Sequence, residues 1–195
     1  MKSLVGLKDF VIAEILTDTD AGTTYGEVEK VVGVMDVSVT PSDTDPDVQF
    51  ADDNESDVLN PDPKIAVVAE FTQLPLSVQA KFGGHRIDDD GVMVRVAGDT
   101  APYFAIGFKA EKRDGGYRFK WLLKCRAKPM TETFRTKEGQ TITRQTGKIE
   151  FVAIKRVSDN QYEYTADEGQ NGFTAEKAAA FLTEVHTAKF AAGEA

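Results

Sequence analysis

Chemistry could be carried at three places in this chain. His85 precedes Asp88-Asp89-Asp90, a spacing that could make an acid–base pair or contribute to a metal site. The second histidine, His186, belongs to a distant C-terminal segment and no third fixed ligand is suggested, so HRIDDDG reads as a solvated turn. Asp43-Thr44-Asp45-Pro46-Asp47 opens like a calcium loop, with carboxylates at every second position. The match fails at the sixth position, where Val48 replaces the turn glycine, and at the twelfth, where Asn54 replaces a bidentate Glu. A weak cation site or a solvated acidic loop remains. Cys125, the single cysteine, sits among alternating apolar residues and reads as a buried thiol, not a nucleophile. Asn54-Glu55-Ser56 spells a glycosylation sequon, but nothing indicates secretion. There is no glycine-rich phosphate loop. These patterns predict no catalytic, cofactor-binding or metal-binding residues and a chain that is not an enzyme.

Charge is distributed more informatively than its total of -9 suggests. Ser42 to Asp62 holds eight carboxylates (Asp43, Asp45, Asp47, Asp52, Asp53, Glu55, Asp57, Asp62) and no Lys or Arg. Tyr117 to Arg156 holds eleven Lys or Arg against three Glu. Within it, Arg118, Lys120, Lys124 and Arg126 interleave with aromatics as a nucleic-acid face would. The overall balance argues against phosphate binding by the whole surface. An acidic arm and a basic strand on one chain can instead pair between copies, and such a heterologous contact closes rings or builds filaments. The predicted interface residues are Asp43, Asp45, Asp47, Phe50, Asp52, Asp53, Glu55, Asp57, Arg118, Lys120, Lys124 and Arg126. The four cations are expected to be neutralised by carboxylates of neighbouring subunits.

The elements that must position these residues are mostly strands. Period-2 alternation marks Phe10 to Ile15, Val31 to Thr40, Ile65 to Phe71 and Gln145 to Val157. DTDAGTTYG (18–26) reads as a turn. The acidic arm, about 41–63, has Val48, Phe50 and Ala51 as its apolar cluster, which predicts a short strand or an anchor at Phe50. After Phe71 the period changes: Leu74, Val78 and Phe82 recur every four residues, Pro75 suits a first helical position, and Gly83-Gly84 is a stop. Val92 to Val96 reads as a brief strand. Tyr103–Lys112 and Tyr117–Ala127 form a hairpin about Asp114-Gly115-Gly116. Its second arm places Tyr117, Phe119, Trp121, Leu123 and Cys125 on a core face, and Arg118, Lys120, Lys124 and Arg126 with Leu122 on a basic face. Lys128 to Thr143 is a polar loop or a pair of short exposed strands, and Tyr162 and Tyr164 suggest a last strand. Thr174 caps a helix over about 174–188, with Ala178, Phe181, Leu182 and Val185 as its apolar stripe. Residues 191–195 are expected to be disordered.

At 195 residues the chain suits one domain, about 1–190, large enough for a core without disulfides. MKSLVGLKDF is too short and too charged for a signal peptide, and no apolar run is long enough to span a membrane. Synthesis in a reducing cytoplasm is expected. The fold class predicted is mainly β (α+β), a β-sandwich or half-barrel with a short central helix, a C-terminal helix and a long acidic loop.

From Gly6 to Val157 the sequence resembles the major tail protein family of long-tailed siphophages. The resemblance is carried by GLKDFVIAEI, by VQFADD in the arm, by KIAVVAEFTQLP before the helix, by PYFAIGF with GYRFKWLLKCRAKP, and by TRQTGKIEFVAI entered from Thr136-Lys137. The acidic insertion of 52–62 is longer and more charged than the family pattern. The resemblance implies a tail-tube subunit located in the virion, forming hexameric rings stacked into a hollow tube. It further implies tape-measure and tail-terminator partners, and DNA that passes through the lumen without specific binding. The other readings are a β-sandwich module binding carbohydrate or calcium through the acidic loop, and a metal-dependent enzyme using His85 and Asp88 to Asp90.

Overall fold

Alternating patterns outnumber helical ones along the chain, and the described residues accordingly form thirteen strands and two short helices. The structure, a computed structural model, describes residues 4–41, 47–51, 54–59, 64–113, 115–132 and 147–188. The elements are β1 (Leu4–Thr19), β2 (Gly22–Tyr25), β3 (Glu29–Lys30), β4 (Val34–Pro41), β5 (Asp47–Ala51), β6 (Asn54–Leu59), β7 (Ile65–Phe71) and α1 (Leu76–Gly83). They continue as β8 (Arg86–Ile87), β9 (Met93–Val94), β10 (Tyr103–Lys112), β11 (Tyr117–Ala127), β12 (Gly147–Ala153), β13 (Glu163–Asp167) and α2 (Ala175–Ala180). Asp114, most of the Lys128–Thr143 stretch and the tail 191–195 lie outside the described residues.

One antiparallel sheet in the order β2-β1-β10-β11-β12-β7-β4 dominates, with β3 added to β1 and β13 to β11. The sheet curls until its two ends meet. β3 pairs with β1 while β4, three residues further along the chain, pairs with β7. At the junction Val31 N–H donates to Phe10 O at 2.9 Å and Thr72 N–H to Gly33 O at 2.8 Å. Gly33 breaks what the sequence suggests is a single strand: its φ of +87° suits glycine, and a Cβ there would stand 2.9 Å from Thr72 Oγ1.

Alternation then decides what lies inside the curl. Phe10, Ile12, Val67, Phe71, Phe104, Ile106 and Phe151 form the interior, with the Phe10 and Phe71 rings 5.8 Å apart across it. α1 lays Phe82 into this space, edge-on to Phe104 and Phe151 at 5.3 and 5.1 Å. Burying a side chain of this size stabilises by about 1.5–3 kcal/mol. Pro75 occupies the N-cap position, one residue before the helix, and Gly84 ends it in the left-handed region.

A second apolar layer lies outside. Val11, Ala13, Ala105, Phe119, Trp121 and Leu123 are covered by Ala178 and Phe181 of the C-terminal segment. Both faces of the central strands are therefore buried, which corrects the expectation of a single core face. The C-terminal helix is also shorter than predicted, ending at Ala180. Thr174 caps it as expected, accepting from Lys177 N–H at 3.4 Å. Beyond it the chain tightens, Phe181 N–H donating to Ala178 O at 3.4 Å and Thr183 N–H to Ala180 O at 3.0 Å, and Trp121 Nε1–H donates to Phe181 O at 2.8 Å.

Two turns of the sequence reading become hairpins. DTDAGTTYG supplies β2, paired to β1 with Thr19 opposite Gly22, so only Asp20 and Ala21 remain in the turn. HRIDDDG contributes β8, paired to β9. The β10–β11 hairpin and β7 have the predicted ends, whereas β12 stops at Ala153, short of Val157, and the last strand, β13, includes Tyr164 but not Tyr162.

Candidate functional site

The basic strand β11 is bent by a bulge that the sequence does not announce. Phe104 of β10 faces Cys125 and Ile106 faces Leu122, so β11 carries one residue more than β10 between these pairs. The parity of the strand flips there. Phe119, Trp121 and Leu123 point into the outer layer, whereas Leu122 and then Cys125 and Ala127 point into the interior. Cys125 is thus separated from the aromatic face assigned to it, and the four cations do not share one face.

Each cation has its own surroundings. Arg118 forks onto Asp167 with Nε and Nη2 both at 2.7 Å from its oxygens. Lys120 reaches Glu163 at 2.6 Å. Lys124, on the strand's buried stretch, meets Asp18 at 2.5 Å, with side chains 11% and 8% exposed. These partners belong to the same chain, which corrects the expectation that neighbouring subunits supply them. Arg126 differs. Its guanidinium carbon lies 4.1 Å from the centre of the Tyr103 ring, with Lys124 Nζ 4.9 Å from the same ring. Among the described residues no carboxylate pairs with Arg126, and its buried Nε has no acceptor.

Beside the bulge lies a polar network missed in the sequence. β12 and β13 lie along the same side of β11, and the intervening chain loops out from Ile154 to Tyr162. Arg156, 4% exposed, fastens that loop. It donates to Asp159 Oδ1 at 3.0 Å, Tyr25 Oη at 3.1 Å, Tyr164 Oη at 2.9 Å and Gln161 Oε1 at 3.3 Å. Burial opposes its charge, but hydrogen bonds to Asp159 and Tyr25 outweigh this and hold its pKa above the usual value. Burial likewise pushes the Tyr25 hydroxyl up to about 12, against the lowering effect of Arg156. Asp18 accepts from Lys124, from Thr23 Oγ1 at 2.8 Å and from Val157 N–H at 3.2 Å. Burial works against its ionised form, yet these donors hold its pKa below the usual carboxylate value. A cleft of about 400 Å³ opens here, lined by Lys64, Lys124, Ile154, Arg156, Val157 and Asn160 among others. The network's members are scattered from Asp18 to Tyr164. No local signal marks Arg156, which falls in step with the polar positions Lys148 and Glu150.

The remaining candidates resolve into structural roles. His85 Nδ1 contacts Asp99 Oδ2 at 2.8 Å instead of Asp88 to Asp90. Asp88 turns the β8–β9 hairpin by accepting from Asp90 N–H and Val92 N–H at 3.0 and 2.8 Å. Cys125 is fully buried, and burial pushes its thiol far above the usual value. Among the described residues no group of three or more His, Cys, Asp or Glu could hold a metal ion. No described helix is long and apolar enough to cross a membrane.

The acidic arm forms a hairpin. β5 and β6 make a two-stranded sheet of their own, pairing Asp47 with Leu59, Gln49 with Asp57 and Phe50 with Glu55. Residues 47–51 are extended, not wound as a calcium loop. Asp43, Asp45, Asp52 and Asp53 lie outside the described residues. No model of a known protein family matches the chain, and no curated protein sequence matches it.

Proposed function

We propose that this chain is a self-associating structural subunit of a long-tailed phage tail tube, stacking as hexameric rings around a conduit for the genome. The observation that carries the reading is the β5–β6 hairpin. It stands between two neighbouring strands of the main sheet, β4 and β7, yet among the described residues it pairs with no strand of that sheet. A β4-to-β7 connection needs only a few residues, whereas this one is long, acidic and internally paired, as suits a projection toward another molecule. Exposed apolar residues add support. Leu4, Val5, Val32 and Met35 are all more than 40% exposed beside the junction of β1 with β3 and β4.

In this reading the rolled sheet is the tail-tube fold, tape-measure and terminator proteins meet the ends of the tube, and DNA crosses the lumen without specific contacts. The protein then resides in the virion. Negative-stain microscopy and sedimentation of the concentrated full chain test this, with six-fold rings or tubes expected. Replacing 43–57 with a short Gly-Ser linker should leave a cooperative thermal transition and abolish assembly. Monodisperse single particles at all concentrations, or normal assembly without the arm, refute it. Calcium- or glycan-dependent binding by such single particles would favour a binding module instead.

A further inference from the structure

We infer that Arg126, seated on the Tyr103 ring, receives a carboxylate from the acidic β5–β6 hairpin of a second copy of this chain. The inference rests on the self-assembly reading and names its contact. Of the four cations on β11, three are already matched to Asp167, Glu163 and Asp18 within the chain. Arg126 is left with a ring beneath it and an unsatisfied donor at Nε. Nε itself is closed to an incoming group, so the arriving carboxylate meets the two Nη groups, which donate to no described residue. The planar guanidinium fork fits a carboxylate in two-point contact, and stacking on Tyr103 holds the fork in place before the partner arrives.

Charge complementarity selects the partner. Lys124 and Arg156 nearby are already paired with Asp18 and Asp159, so the charge open to an incoming carboxylate is that of Arg126 itself. The stretch 42–62 holds eight carboxylates and no cation, and Asp47, Glu55 and Asp57 lie on its two paired strands. Among the described residues of one chain no strand pairing joins that hairpin to β11. Nucleic acid is the poorer match, because affinity for a phosphate backbone is built from several cations and three of these four are matched internally.

The test uses the full-length chain and its R126A, R126K and R126E variants. R126A should raise the concentration needed for assembly by about tenfold or more and flatten its salt dependence, with the melting temperature unchanged. R126E should abolish assembly. R126K introduces an amine that carbodiimide can couple to a touching carboxylate. In a mixture of ¹⁴N- and ¹⁵N-labelled R126K, mass spectrometry should find the link to Asp47, Glu55 or Asp57 in mixed-isotope pairs. Links within one copy only, links to other carboxylates, or duplex DNA binding by the wild type that R126A loses, overturn the proposal. R126A assembling like the wild type rejects this contact and leaves self-assembly standing. A wild type that never assembles rejects both.

Discussion

Replacing Asp18 by alanine removes the carboxylate on which three donors converge: the Lys124 ammonium, the Thr23 hydroxyl and the Val157 amide. The Asp18 and Lys124 side chains are 8% and 11% exposed, so the abandoned ammonium cannot recover its hydration without local opening. Removing one partner of a buried ion pair costs about 3–5 kcal/mol, because the other charge is left uncompensated. Against a total stability of about 5–15 kcal/mol for a domain, Asp18→Ala should therefore consume about a fifth or more. The double variant D18A/K124M removes both charges, keeps the apolar stem and should regain most of the loss. Arg118→Ala serves as the contrast. Its side chain is 45% exposed, so losing its pair with Asp167 should cost only about 0.2–1 kcal/mol. Urea unfolding followed by fluorescence reports this directly, since Trp121 is the single tryptophan and is completely buried. A loss below about 1 kcal/mol for Asp18→Ala, or a double variant no more stable than the single one, would refute the reasoning.

Gly107→Ala should destabilise by about 1–3 kcal/mol and alter Trp121 emission, since a Cβ there would lie 2.8 Å from three atoms of the Trp121 ring; the melting temperature and emission maximum check it. Acid should destabilise the fold in a defined window. Asp9 is held below its usual pKa by Lys109 and then Lys30, and Asp167 by Arg118. Asp18 is held low by its donors despite burial, from the same reference value of 3.8. With folded pKa values below the unfolded one, their contribution is complete above about 3.8 and is lost as pH falls through the lower folded values. Melting temperature should stay level from neutral pH to about 5 and then decline, and a decline centred near pH 6 to 7 would contradict this. Cys125 should resist a thiol reagent in the native protein and react fully once the chain is unfolded in urea; stoichiometric labelling of the native form would show the interior to be open.

The strands legible in the sequence are those whose side chains face one environment at a time. β7 alternates from Ile65 to Phe71 because one of its faces meets the interior and the other is less buried. The β10–β11 hairpin announces itself through a glycine pair between two apolar runs. Parity within β11 is less legible. The bulge near Leu123 depends on its pairing with β10, and no residue type marks it, so Cys125 falls on the other face. The same holds for the chain after α2, whose Phe181 carbonyl accepts from an indole about sixty residues away in sequence. Of the candidate site, charge sign is readable in composition, whereas which charges are already satisfied is not. Arg118, Lys120, Lys124 and Arg126 look equivalent as a string, and only folding distinguishes the last by leaving it on Tyr103 without a carboxylate.

The curled sheet also dictates a timetable for synthesis. Val11 of β1 pairs on one side with Lys30, which follows it closely, and on the other with Gly107, roughly a hundred residues later. At about 5–20 residues per second, β1 waits roughly 5–20 s on the ribosome for β10 to be translated, with Phe10 and Ile12 lacking that wall of their enclosure. β4 and β7 can pair much sooner, but their apolar side chains also remain open until β10, β11 and β12 arrive. Ring closure is thus the last event of a slow, long-range assembly. The nascent first half, with its unpaired edges, is the form of this chain most in need of chaperone protection.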